Sequence, residues 1–197
     1  SFCMRGGIAS DTSVLLPGSG VNLQHHIFQD YPQDDGIIRF LYIGRLIKDK
    51  GTSELFEALK VVKSYYHQVE FHIIADFVDE NYQKQLASFI ENRTVIYHGD
   101  QMDVRPFIGA VHCTIMPSYH EGMSNVNLES AANGRPVITT NVPGCAETVE
   151  DGKTGFLVLV KDSDSLIDAI KRFISIPFNQ KVSMGQEARK MVESLLD

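Results

Sequence analysis

The chain of 197 residues carries 25 acidic and 18 basic side chains, a formal charge of -7, and is 43% hydrophobic and 22% charged. That length suits one domain with a sizeable core, or one plus a helical extension, and is too short for two. The acidic balance argues against nucleic acid as the main partner, because phosphate-backbone binders carry basic patches, and no apolar run approaches the ~18 residues of a membrane span.

In chain order, short apolar runs alternate with helical patterns. Strands are predicted over 14–16, 38–43, 71–75, 95–98, 113–116 and 136–139, each an apolar run bounded by polar or turn-forming residues. A hinge-like turn, Gly18-Ser-Gly20-Val-Asn22, follows the first, and Pro32 to Gly36 is the one polar, linker-like stretch inside the chain. Thr52-Ser53 reads as the N-cap of a helix carrying Leu55, Leu59 and Val62 on one face, and Leu86 and Ile90 repeat that spacing. Asp151-Gly152 to Gly155 is a turn signal feeding 156–160, an edge strand or short hairpin. Leu166, Ile170, Phe173 and Ile174 then share a helical face after Asp162-Ser163, Pro177 closes that helix, and a last helix is expected over about 179–195. The rhythm is that of a parallel sheet with helices on both faces. Asp162-Ser-Asp164 has the D-x-D form of a metal site, but its place ahead of an amphipathic helix marks it as a cap. Cys3, Cys113 and Cys145 show neither C-x-x-C pairing nor metal-ligand spacing with histidine, which fits a reducing compartment, and Cys113 reads as core. The opening Ser1-Phe-Cys-Met-Arg shows no signal-peptide pattern and reads as the middle of a longer sequence.

The residues able to do chemistry follow predicted strands: Arg45 after 38–43, Gly99 after 95–98, Pro117 to Glu121 after 113–116, Thr140 to Gly144 after 136–139. Open α/β sheets bind ligands beyond the carboxyl ends of their strands, so these motifs share the correct edge. Arg45 and Lys50, five positions apart around a strand-to-helix turn, can both reach a phosphate there, Arg as a planar fork and Lys as a mobile charge. Solvated charges at a helix start are the alternative. Glu121-Gly-Met-Ser-Asn-Val-Asn-Leu-Glu129 places one carboxylate in a loop and the other two turns along the helix that follows, so both can face one ligand. Between them, Gly122, Met123, Ser124 and Asn125 form a turn whose free main-chain amides make an anion site.

These motifs resemble the donor-binding signatures of the retaining, GT-B fold glycosyltransferases of family 4, the "group 1" glycosyltransferases. The resemblance is carried by Phe40-Leu-Tyr-Ile-Gly44-Arg45-Leu-Ile-Lys-Asp-Lys50-Gly51, by the E-x7-E segment running into Ser130-Ala-Ala-Asn-Gly134-Arg-Pro-Val-Ile138, and by Val142-Pro-Gly144-Cys-Ala-Glu147 continuing to Gly155-Phe. It covers roughly 15–176 and implies the C-terminal half of a GT-B fold: a Rossmann-like α/β domain over 1–176 that binds a nucleotide sugar. A helix at 177–197 would return to a missing N-terminal domain and be unanchored without it.

By resemblance, Glu129 accepts from the ribose hydroxyls, Arg45 and Lys50 hold the diphosphate and stabilise its leaving charge, and Glu121 completes this catalytic set at the donor sugar, favoured as a positioning or electrostatic group with the nucleophile as the alternative. The loop Gly99, Asp100, Gln101 and Met102 meets the base. Glu147 divides between ligand contact and local capping, and His120 is the one histidine near the site. Asn22 replaces the Asp of the family's usual hinge turn, which puts that turn's hydrogen bonding in question. The motif phrasing is nearest to bacterial capsule, O-antigen and lipid-linked oligosaccharide enzymes. A UDP-linked hexose or N-acetylhexosamine donor is expected, with no metal or cofactor, and a glycan or lipid-linked acceptor bound through the N-terminal domain. The expected setting is cytoplasmic, with peripheral membrane association of the full-length enzyme and little or no transferase activity in this chain alone. A non-catalytic nucleotide-binding module and a GT-B sugar-nucleotide epimerase stay open.

Overall fold

The computed structural model describes residues 20–196, so the strand expected at 14–16, Gly18 and Cys3 lie outside the described residues. Six parallel strands form one sheet: β1 (Ile38–Ile43), β2 (Val69–Ile74), β3 (Ile96–Tyr97), β4 (Cys113–Met116), β5 (Val137–Thr140) and β6 (Gly155–Val158), in the order β3-β2-β1-β4-β5-β6. The order reverses between β1 and β4, where Phe40 pairs with Phe71 on one side and Cys113 on the other. Two crossovers leave in opposite directions there, which opens a crevice at the carboxyl end.

The helices are α1 (Thr52–Tyr65), α2 (Glu80–Glu91), α3 (Arg105–Ala110), α4 (Asn125–Ala132), α5 (Ser163–Ser175) and α6 (Phe178–Leu196). Strand β1 shows why both faces are covered. Phe40 and Tyr42 enter one core with Phe56, Leu59, Phe89, Leu166 and Phe173 from α1, α2 and α5. Leu41 and Ile43 point the other way, into a smaller core with Ile108 of α3. The apolar run Phe40 to Ile43, buried at every position after Ile38 and Arg39, is the signature of a parallel strand covered on both sides. Among the described residues no helix is long and apolar enough to cross a membrane.

Several expectations need correcting. Thr52 does not cap α1; Gly51 takes the cap position in the left-handed region (φ 70°), and the Thr52 hydroxyl donates to the Ile47 carbonyl at 2.8 Å. Ile90 lies on the outer face of α2, 41% exposed, while its neighbour Phe89 is buried. β6 joins as a sixth parallel strand on β5, so the hairpin alternative falls. α3 was not anticipated: its six residues are too few to show a helical period. The terminal helix is not unanchored, since α6 buries Ala188, Met191 and Val192 against Leu128, Ala131 and Ala132 of α4. Pro32–Gly36 is irregular as expected.

The segment just before it, by contrast, is clamped. Arg135, fully buried, donates to the carbonyls of Ile108, Gln29, Asn133, Gly134, Asp30 and Gly109 at 2.7–3.2 Å. Burial lowers the Arg135 pKa to about 10, and the guanidinium also packs over the Tyr31 ring at 5.3 Å.

Candidate functional site

A cleft of about 400 Å³ opens at the carboxyl edge of the sheet, lined by Arg45, Lys50, Asp76, Asp100, Gln101 and Glu121, with Met123 to Val126 closing one wall. This is the size of an ordinary small-ligand site.

Each wall follows from local structure. After β1 the chain turns at Gly44, and the buried Tyr42 hydroxyl donates to the Arg45 carbonyl at 2.7 Å, which fixes the main chain from which the Arg45 side chain springs. A 3-10 turn at Lys48–Lys50 then leads through Gly51 into α1. The loop after β4 is zipped to this turn, with the Tyr119 amide donating to the Asp49 carbonyl at 2.9 Å. The approach needs glycine, because a Cβ on Gly51 would stand 2.0 Å from the Pro117 carbonyl oxygen. The result is a partly buried ion pair, Lys50 Nζ to Glu121 Oε1 at 2.6 Å. A second glycine contact closes the other side: a Cβ on Gly144 would stand 2.3 Å from the Glu121 carbonyl oxygen. The Ser124 amide donates to the Gly144 carbonyl at 2.8 Å, and Glu147 accepts from the Gly144 amide at 2.7 Å. Glu147 is therefore a loop clamp in this structure.

Helix α4 begins at this point. Ser124 is its N-cap, with its hydroxyl accepting from the Asn127 amide. Among the described residues the amides of Asn125 and Val126 have no protein acceptor, and both residues line the same cleft as Arg45 and Lys50. The Arg45 guanidinium likewise has no hydrogen-bond or ion-pair partner among the described residues. Helix-start amides without an acceptor, in a cleft that also holds two cations, can take an anion.

Of the residues expected from sequence, Arg45, Lys50, Asp100, Gln101, Glu121, Met123, Ser124 and Asn125 line this cleft. Gly99, Met102, Gly122 and Glu129 do not. The Met102 side chain is fully exposed, and Gly99 and Gly122 act through the turns they permit. Glu129 stands one turn along α4 from Asn125, outside the cleft wall, with its carboxylate 4.0 Å from His26 Nε2. Burial raises its pKa. His120 is exposed and does not line the cleft. Asp162 caps α5, accepting from the Ser165 amide at 2.9 Å. Cleft residues outside the expected set include Asp76 and Val104, beside the apolar Ile43, Ile74, Met116 and Val126. Asp76 follows β2 directly, so the strand-end rule that marked Arg45 would have found it.

The fold is that of a Rossmann-like α/β domain with a cleft at its topological switch point, the place where open α/β sheets bind ligands. The chain belongs to the glycosyl transferases group 1 family, whose profile matches residues 24–191. It is 32% identical over 155 residues to the capsular polysaccharide biosynthesis glycosyltransferase CapM of Staphylococcus aureus, covering 78% of this chain and 40% of that protein. The C-terminal domain of the group 1 glycosyl transferase LpcC from Francisella tularensis superposes with a TM-score of 0.75 at 22% identity, covering 90% of this chain and 99% of that one. HepE of Anabaena, solved in complex with UDP-glucose, has a TM-score of 0.74 at 20% identity, covering 90% of this chain and 52% of that one. These two likenesses establish the fold, that of the C-terminal half of GT-B enzymes. The chain spans about 40% of the length of the curated relatives it matches.

Proposed function

We propose that this chain is the donor-binding half of a retaining glycosyltransferase that moves a hexose or N-acetylhexosamine from a UDP-linked donor to a glycan or lipid-linked acceptor in polysaccharide biosynthesis. The observation that carries this is one cleft that gathers Arg45, Lys50, Asn125 and Val126, the amides of the last two having no protein acceptor among the described residues. A diphosphate seated between them would accept from both walls. In transfer, the bond from the anomeric carbon to the diphosphate oxygen breaks, its electron pair stays on the diphosphate, and the acceptor oxygen bonds that carbon on the same face while its proton passes to the departing diphosphate oxygen. The two cations and the helix start stand where that leaving charge would develop, and losing one such group typically costs on the order of 100- to 1000-fold in rate.

Glu121 acts here as a positioning group. Its carboxylate is already neutralised by Lys50 at 2.6 Å, which favours contact with sugar hydroxyls over attack on carbon. Glu129, one turn further along α4, is assigned to the ribose. The acceptor would be presented by an N-terminal domain, and the isolated chain would bind donor with little turnover.

Calorimetric titration with UDP, GDP and ADP and their sugars, repeated on Arg45→Ala and Glu129→Ala, tests this. A UDP-sugar should bind best and both substitutions should weaken it. If no nucleotide binds at millimolar concentration, or if neither substitution matters, the site is misassigned.

A further inference from the structure

Three links join the segment after β1 to the loop after β4. The Tyr119 amide donates to the Asp49 carbonyl at 2.9 Å. The Tyr119 hydroxyl donates to the Glu54 carboxylate, whose two oxygens lie 2.8 and 2.9 Å away. The third link is the ion pair of Lys50 with Glu121 at 2.6 Å. Of the residues in these links, only Lys50 and Glu121 line the cleft.

Asp49, Lys50 and Glu54 belong to one continuous piece, because the 3-10 turn at Lys48–Lys50 passes through Gly51 directly into α1, whose first turn carries Glu54. A carboxylate is favoured at that helix start. On the facing loop the Ser118 hydroxyl lies 3.3 Å from the Asp49 carbonyl and 3.1 Å from the His120 carbonyl, and the Ser118 carbonyl accepts from the Thr140 hydroxyl. Lys161, which follows β6, holds its ammonium 5.0 Å from the centroid of the Tyr119 ring, within cation–π reach. Burial, with the Glu54 carboxylate beside it, raises the Tyr119 pKa, so the hydroxyl keeps its proton and remains a donor near neutral pH.

A bound donor makes its own claims on Lys50 and Glu121, so the bond between those two weakens just when Glu121 has to stay in place. The two links through Tyr119 lie outside the cleft wall and are left intact. We infer that Tyr119 is the positioning residue for Glu121: its hydroxyl, pinned to Glu54, holds the β4 loop on α1 so that the carboxylate keeps its place at the sugar while Lys50 turns to the diphosphate. This rests on the assignment of Glu121 to the donor sugar. An acceptor held in advance spares the ligand the cost of ordering it.

The test is calorimetry with UDP, UDP-glucose and UDP-N-acetylglucosamine, read as the affinity of the better UDP-sugar divided by that of UDP. Glu121→Ala should lower this ratio by about 10-fold or more, the worth of a hydrogen bond to a charged group. Tyr119→Phe, which removes one hydroxyl, should lower it by about 3- to 10-fold while changing the affinity for UDP by less than about twofold. Glu54→Leu should reproduce that loss from the other end of the same bond, and Glu54→Gln, which keeps an acceptor, should retain most of the wild-type ratio. In the Glu121→Ala background, Tyr119→Phe should change the ratio no further, because its effect passes through Glu121. If no UDP-sugar binds, or Glu121→Ala leaves the ratio intact, the assignment of Glu121 fails and the inference falls with it. If Glu121→Ala lowers the ratio and Tyr119→Phe does not, Glu121 keeps its role and that of Tyr119 is overturned. A loss in Tyr119→Phe that is equal for UDP and UDP-sugar, or that persists without Glu121, would mark a general structural role and also overturn the inference.

Discussion

Arg45 and Arg135 are the same side chain put to opposite uses by two regions of one domain. Arg135 is buried, and six carbonyls take its donors, with no carboxylate in ion-pair contact among the described residues. Arg45 stands in the open cleft with none of its donors engaged among the described residues. The saturated guanidinium holds segment 29–30 against α3 and the start of β5, and the unsaturated one waits for an anion. Hydrogen-bond satisfaction, more than charge or sequence neighbourhood, separates the structural arginine from the ligand-binding one.

Substitution should split the two regions cleanly. Arg135→Met removes the donor of six carbonyls, three in buried and three in part-buried bonds, and should lower unfolding free energy by about 3–5 kcal/mol in urea titrations. Arg45→Ala should move stability by less than ~0.5 kcal/mol while weakening nucleotide binding by about 10- to 100-fold in calorimetry. If Arg45→Ala destabilised the fold as strongly as Arg135→Met, the contrast would collapse.

Titration sharpens the same contrast. Beside the clamp, the Tyr31 hydroxyl donates to the His112 carbonyl at 2.6 Å, and His112 Nδ1 accepts from the Arg39 amide at 3.0 Å. Burial, with the nearby Arg39 charge, lowers its pKa to about 4. The unfolded chain binds this proton first, so the stability it protects is present above about pH 6.5 and is lost as pH falls toward 4. Denaturation followed across that window should show a loss of roughly 1–3 kcal/mol that His112→Asn flattens. Glu129 in the cleft region has the opposite sign. Its folded pKa is raised by burial, so the folded state holds the proton longer and stability declines as pH rises through that value. Glu129→Gln should accordingly stabilise the neutral-pH protein slightly, by less than ~1 kcal/mol, while reducing nucleotide affinity.

Much of this was legible in the sequence, and the failures have local causes. The strands at 38–43 and 113–116 match the structure residue for residue because each is a predominantly apolar run, interrupted only by Arg39 and Thr114, between polar or turn-forming segments. The strand expected at 95–98 shrinks to Ile96–Tyr97 at the sheet edge, where one neighbour supplies few pairing partners. Arg45, Lys50 and the E-x7-E loop were findable because turn chemistry and strand ends put them on one edge. Gln29, Asn133 and Arg135 were not, because their roles depend on partners a hundred or so positions away, such as the Gln29 to Asn133 bond, and no local period records such a contact.

The Lys50 and Glu121 pair has a consequence for selectivity. Each of these two groups is the other's counter-ion at 2.6 Å, yet the ammonium keeps further donors and the carboxylate further acceptor sites. On the proposed reading, a ligand with only negative charge brings like charge up to Glu121, and one with only hydroxyls leaves the charge of Lys50 unused. A molecule with an anionic end and a hydroxylated end suits both groups at once, so the pair would favour a sugar phosphate ester over inorganic phosphate or free sugar.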